Sequence, residues 1–344
     1  MTYVESFDGQ QNPPPYFFPK VSVNACVLKA TQDNLQRWCN TFLNLGNGHR
    51  FKPLVPFVYV GISHYPKMFC AGHENMGYAI QDEYFVMVPL VHYRNFFNLW
   101  IPVGLTWGFP FIGVTNGTSA ISGQTVIGFP KMVGSITRTT MSGGAFHGEV
   151  EMPGFPVFDS NTQQRQMPII AMRTDAPLQQ SAPTGPVSGA APAATLSFPW
   201  SLLHAGTGIT DIEDEILEFL DDLIPGLYST TVLKQIRDAE DPTQACFQSL
   251  VSAQWQIDDP LSSIEFSGGE VDVFDNASVD IIATLGLADG TAIPPPSVIS
   301  APTPDAGGPL APAVAAPRSE RFKALAAFEM QVDIHFGDLR NLGL

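Results

Sequence analysis

The chain has 344 residues, 44% of them apolar, which is enough to bury a large core. Only 15% are charged, and the shortage is on the basic side: 17 Lys and Arg face 33 Asp and Glu, for a formal net charge of −16. So few cations argue against nucleic acid and against anionic membrane surfaces as partners. The 24 Phe exclude wholesale disorder, and 30 Gly with 30 Pro point to many turns rather than a helical bundle.

Residues 1–20 read as a proline-rich arm, without the basic stretch leading into an apolar one that marks a secretory signal. Residues 21–30 read as a strand. Thr31 is then placed to cap a helix running to Leu45, where Leu35, Trp38, Cys39 and Phe42 recur at helical spacing and Gly46 stops the run. From residue 51 to 172 the pattern is strand and turn. Strands are expected at 57–62, 84–92, 98–106, 112–115, 137–140 and 147–152. Several are apolar on both faces, as strands buried between layers are.

Residues 176–195 are mostly Ala, Pro, Ser, Gly and Gln and read as a linker. They lead to an amphipathic helix at 210–224 whose seven carboxylates read as a solvated face, since nothing converges them on a point. The strand pattern resumes at 231–236, 247–257, 270–273 and 280–286. A second Pro/Ala/Gly-rich stretch fills 288–317, and 322–336 again alternates. No internal repeat shows. The expectation is a single domain over 1–344 of the α+β class, mostly antiparallel β. It carries an arm at 1–20, an insertion with the acidic helix at 173–228 and a loop insertion at 287–320. No run approaches the ~18 apolar residues of a spanning helix. Four scattered cysteines, Cys26, Cys39, Cys70 and Cys246, read as buried, reduced thiols of a cytoplasmic chain.

Phosphate-binding, dinucleotide-binding and serine-hydrolase motifs are absent, and the histidines do not pair at metal-ligand spacing. His64 and His73 with Glu74 are the nearest approach to a metal set, so neither a metal nor a cofactor is expected. What stands out is one of the seven lysines. Lys131 lies in Gly128-Phe129-Pro130-Lys131-Met132-Val133-Gly134, among apolar residues and glycines. Burial there disfavours the ammonium form, and a free amine is a nucleophile toward ketones.

Gly123-x7-Lys131, ending in Gly-Phe-Pro-Lys, resembles the signature of the acetoacetate decarboxylase family, in which a Gly-Arg-Glu triplet precedes Tyr/Phe-Pro-Lys-Lys. Gln81-Asp82-Glu83, with Pro89 six residues on, resembles the family's catalytic-glutamate strand. Leu233 to Ile236, Ala253 to Trp255, Gly269 to Phe274 and Ala327 to Phe336 resemble its later strands. The resemblance spans most of 20–170 and 228–340. It implies a cone-like, largely antiparallel β-barrel with flanking helices, a central apolar pocket and assembly into homo-oligomers. It implies that Lys131 forms a Schiff base with a small-molecule keto acid and that Glu83 works beside it. The family's Arg and Glu are Gln124 and Thr125 here, its second lysine is Met132, and a further pocket carboxylate aligns with Tyr59. These departures suit a β-keto acid larger or more apolar than acetoacetate, with Tyr59, Gln124, Phe129, Met132 and Arg94 on the substrate side. Arg138 and Lys20 are the other cations in reach by sequence. Aldolase, dehydratase or cyclase chemistry through the same iminium is the alternative. A non-catalytic binder of apolar molecules is the third reading.

Overall fold

A computed structural model describes residues 13–46, 48–72, 75, 77–141, 143–178, 227–257, 262–293 and 319–343. The expected acidic helix, most of the two insertions, His73 and Glu74 lie outside the described residues. Strand dominates: β1 (Tyr16–Lys29), β2 (His49–Pro53), β3 (Phe57–Cys70), β4 (Ala79–Phe96), β5 (Leu99–Val114), β6 (Lys131–Val133), β7 (Ser135–Thr140), β8 (Phe146–Gly154), β9 (Arg165–Thr174), β10 (Leu227–Arg237), β11 (Ala245–Ile257), β12 (Ser262–Glu265), β13 (Gly269–Phe274), β14 (Thr291–Ala292), β15 (Ser319–Lys323) and β16 (Ala326–Gly343). Three short helices, α1 (Gln32–Phe42), α2 (Gly117–Ser122) and α3 (Ile281–Leu285), and a π-helical turn (Gly123–Ile127) complete the described residues.

One mixed sheet runs β2-β4-β3-β1-β16-β11-β10-β5-β6, with β12 on β16, and β4 also pairs with β5. That last pairing links β4, β3, β1, β16, β11, β10 and β5 into a ring of seven strands. The pairings β10–β5 and β5–β6 are parallel, and the other described pairings are antiparallel. The second sheet runs β14-β15-β13-β9-β8-β7.

The alternation of strand side chains sorts the core into two clusters. Val23, Ala25, Tyr59, Phe85, Trp107, Phe109, Phe328 and Met330 point into the ring. Their sequence neighbours Cys26, Leu28, Val60, Ile62, Tyr84 and Val86 point outward and pack with Met152, Ile170 and Val271 of the second sheet, with α1 and with α3. These strands are apolar on both faces because both faces are covered.

The strands are longer than the sequence pattern suggests. The expected arm already contributes Tyr16 to Lys20 to β1, paired with Phe336 and its neighbours. The segments expected at 98–106 and 112–115 are one strand. It joins β4 through Phe97 and Asn98, whose φ values of 48° and 67° form the two-residue turn that suits a twisted hairpin. The helix after Thr31 ends at Phe42, and the Thr31 side chain makes no cap bond. The run at 280–286, expected as a strand, is α3. Asp280 accepts from the Ala283 N–H at 3.0 Å and Gly286 closes the helix in the left-handed region, so cap chemistry overrides the apolar run between them. The run at 322–336 breaks at Ala324 and Leu325 into β15 and β16. Cys26, Cys39 and Cys70 are buried free thiols, whereas Cys246 is exposed near the start of β11.

Candidate active site

Glu83 and Gln81 are two apart on β4, so both face into the ring near one of its ends. Asp82 between them faces away and pairs with His64 at 2.8 Å and Arg138 at 2.7 Å. Arg138 is thus committed to a partner outside the ring. The chain reaches Lys131 through a compact switchback. Asn116 caps α2 by accepting the Ser119 N–H at 3.0 Å. The π-helical turn follows, and Gly128 ends it at φ 105°, with its N–H donating to the Gly123 carbonyl at 2.8 Å. A side chain at Gly128 would also strike the Lys234 backbone, with Cβ only 2.6 Å from its Cα. Phe129 and Pro130 then return the chain to β6, which pairs in parallel with β5 so that Lys131 lies opposite Ile112.

The lysine stem passes over Gly123. Its Nζ donates to Glu83 Oε2 at 2.9 Å and to Ser119 Oγ at 3.4 Å, and it stands 5.6 Å from the centre of the Phe129 ring. Lys131 is 8% exposed and Glu83 6%, so this is a buried ion pair. Glu83 is well supplied with donors: Tyr65 Oη donates to Oε1 at 3.0 Å and Gln81 Nε2 donates to Oε2 at 3.2 Å. Burial, and then the neighbouring Glu83 charge, hold the Tyr65 phenol well above its ordinary range, so it stays protonated and donates.

The pair borders a cavity of about 90 Å³ walled by Tyr16, Phe18, Phe109, Ile127, Phe129, Trp255 and Phe336. A smaller compartment of about 50 Å³ continues into the ring and is lined by Val23, Phe85, Met87, Trp107, Phe328 and Met330. The two share Tyr65, Glu83, Phe109, Trp255 and Ile334. Lys131 is the one cation among the described lining residues.

Of the residues expected here, Lys131, Glu83 and Phe129 meet at the cavity. The others do not. Met132 is turned by strand alternation to the opposite face of β6, where it packs against the outer core. Gln124 is exposed and donates its amide to the Lys131 carbonyl, so it holds β6 rather than a ligand. Tyr59 faces into the ring but lies six residues before Tyr65, about 20 Å along β3, packed edge-on to Trp107 at 5.3 Å. Arg94 is eleven residues beyond Glu83 on the same strand, about 36 Å away, beside the Phe96 ring. Lys20 is exposed, and its backbone N–H is bonded to Asp333. Tyr65 and Ser119 carry no signal in the sequence, and Gln81 and Trp255 appear there only as members of the family-like segments, without a role. Among the described residues no cluster of His, Cys, Asp and Glu has the make-up of a metal site, and no helix is long and apolar enough to cross a membrane.

No protein-family model matches the sequence, and no curated protein does. Solved structures do. An acetoacetate decarboxylase from Legionella pneumophila superposes with a TM-score of 0.53 at 11% identity, covering 96% of this chain and 88% of that one. An acetoacetate decarboxylase-like enzyme from Sphingomonas wittichii RW1 gives 0.55 at 12% identity, covering 99% of each chain. A further acetoacetate decarboxylase gives 0.51 at 11%, covering 97% and 91%. The chain therefore has the acetoacetate decarboxylase-like fold, as the spacing of its motifs led one to expect, at an identity that fits a divergent sequence.

Proposed function

Starting from that fold, we propose that the chain is a Schiff-base-forming lyase that decarboxylates a β-keto acid larger or more apolar than acetoacetate. The ring of seven strands is read as the family's cone-like barrel, with the cavity at its centre. The observation that carries the proposal is the 2.9 Å contact between Lys131 Nζ and Glu83 Oε2 inside an aromatic cavity. At that distance a proton passes from the ammonium to the carboxylate without rearrangement. That transfer frees the amine for attack and leaves the proton on Glu83.

The freed amine attacks the keto carbon, and Glu83 returns the proton to the oxygen that leaves as water. The resulting iminium, protonated on nitrogen, draws the electrons of the carboxylate–carbon bond as CO₂ departs. Glu83, now a carboxylate, takes a proton from solvent and passes it to the enamine carbon, and water hydrolyses the imine to release ketone and free lysine. Tyr65 and Gln81 hold the carboxylate in place through these transfers, and Ser119 steadies the amine. No cofactor enters.

The wall composition supports the larger substrate, because the inner compartment adds apolar room beyond the reacting pair. The same wall favours a second reading, aldol, dehydration or cyclisation chemistry on a neutral ketone. Apart from Lys131 itself, the described lining residues offer no cation to anchor a carboxylate. A non-catalytic apolar binder is the third. Incubation with keto acids and neutral ketones followed by borohydride, with the adduct found by mass spectrometry, tests them together. Adduct on Lys131, lost in Lys131→Ala, is expected. No adduct with any keto acid or neutral ketone would eliminate both Schiff-base readings, and CO₂ release against a new carbon–carbon bond or loss of water separates them from each other. We also propose a cytoplasmic homo-oligomer. The exposed apolar side chains of Phe97, Leu99, Ile101 and Val103 on the β4–β5 hairpin support self-association.

A further inference from the structure

Several buried polar side-chain atoms lack a hydrogen-bond partner among the described residues. Asn24 Oδ1 and Tyr59 Oη are among them, but neither residue lines the cavity. Two others belong to residues that do: Gln81 Oε1 and Trp255 Nε1. Buried polar groups are almost always paired, so an unpaired acceptor and an unpaired donor on two residues that line one cavity call for an explanation.

The orientation of the Gln81 amide is fixed by its neighbour. Its nitrogen donates to Glu83 Oε2 at 3.2 Å, and the flipped amide would set an oxygen against that carboxylate. The free end is therefore the carbonyl oxygen, an acceptor. It belongs to a side chain only 3% exposed and stands beside the group proposed to move protons. Trp255 supplies the complement. Its ring packs against Phe109 at 5.6 Å and Phe336 at 5.8 Å, which fixes the direction of its N–H.

We propose that Gln81 and Trp255 are specificity-determining residues that select a ketone whose side arm carries both a hydrogen-bond donor and an acceptor. A donor on that arm, an amide N–H or a hydroxyl, bonds Gln81 Oε1. An acceptor on the substrate takes the Trp255 N–H. This rests on the reading of the cavity as a ketone site and narrows its substrate class. A purely aliphatic ketone leaves both protein atoms bare, and a site with unpaired buried polar groups rejects the ligand that lacks their partners. A carboxylate at the arm answers the tryptophan but offers the Gln81 oxygen nothing.

Two ketones of nearly equal size test it. Acetoacetamide carries an amide beyond its ketone, and isobutyl methyl ketone has methyl groups in the same places. Their relative binding is measured by ligand-observed NMR on the full chain, and their relative rate of borohydride capture on Lys131 by mass spectrometry. The wild-type chain is expected to prefer acetoacetamide by about tenfold, the worth of two neutral hydrogen bonds. In Gln81→Met and in Trp255→Phe the preference falls severalfold, and in the double variant it approaches unity. Because each variant serves as its own reference, a general loss of affinity cancels from the ratio. Equal binding of the two ketones to the wild type would overturn the proposal, as would a preference that survives both substitutions. Binding with the expected preference but without capture on Lys131 upholds the selection and refutes the Schiff base instead.

Discussion

Gly123→Ala should disable Lys131 while leaving the fold intact. The lysine stem lies across this glycine. A methyl group there would sit 2.6 Å from Lys131 Cδ and 3.0 Å from Cε. Aliphatic carbons rest at about 3.5–4.0 Å, so the stem must shift by roughly 1 Å, carrying with it the nitrogen now 2.9 Å from Glu83. A displacement of that size at a reacting atom costs about 100-fold in rate. The backbone raises no objection, because Gly123 has φ −60° and ψ −42°, where alanine is at home. Alanine in place of a helical glycine adds up to about 1 kcal/mol of stability. The expected outcome is an unchanged or slightly raised melting temperature with borohydride capture slowed about 100-fold. Capture within about threefold of wild type, at unchanged stability, would refute the argument that the site depends on the path of this stem.

Other outcomes follow from the same geometry. Gly61→Ala places a methyl 2.2 Å from the Phe85 ring inside the strand ring; overpacking of this kind costs about 1–3 kcal/mol, read by denaturant unfolding. Burial, aided by Asp280, pushes the Asp275 carboxyl up to about 7. Its folded value lies above the unfolded one, so its contribution is full below about pH 4 and lost as pH rises through 7. Asp275→Asn keeps the oxygen that accepts from Ile281 and Ile282, and should flatten that loss in melts taken across pH. His92 behaves in the opposite sense. Burial, with His49 and Arg94 beside it, lowers it to about 4. Stability present above about pH 6.5 should fall away as pH drops toward 4, and less so in His92→Gln. Phe97→Asp, at the tip of the exposed hairpin, should shift the chain to a smaller species in sedimentation.

Much of the site was legible because it lies in two short motifs. The spacing from Gly123 to Lys131 is a physical requirement: one residue must lack a side chain where the stem of the other crosses. The rest was hidden for two reasons. Tyr65, Ser119 and Trp255 come from β3, α2 and β11, and only the tertiary fold sets all three around Lys131 and Glu83. Met132 was misassigned although strand alternation alone turns it away from its neighbour Lys131. On β3 both Tyr59 and Tyr65 point inward, and depth along the strand decides that Tyr65 reaches Glu83 while Tyr59 packs on Trp107. Among the elements, α3 was misread because five apolar-rich residues look alike as strand or helix, and the deciding signals were Asp280 before them and Gly286 after them.

The seam of the ring is the pairing of β1 with β16, which joins Tyr16 to Phe336 and Val27 to Ala326 across some three hundred positions of chain. Contacts so remote in sequence form late, after the entropy of a very long loop has been overcome. Until that seam closes, the space beside Lys131 has no wall from Phe328, Met330, Ile334 or Phe336. The Lys131 amine is thus made early in synthesis, and its enclosure is among the last events of folding. Partly made or truncated chains present an open, wet lysine, and whatever selectivity the cavity has belongs to the finished ring alone.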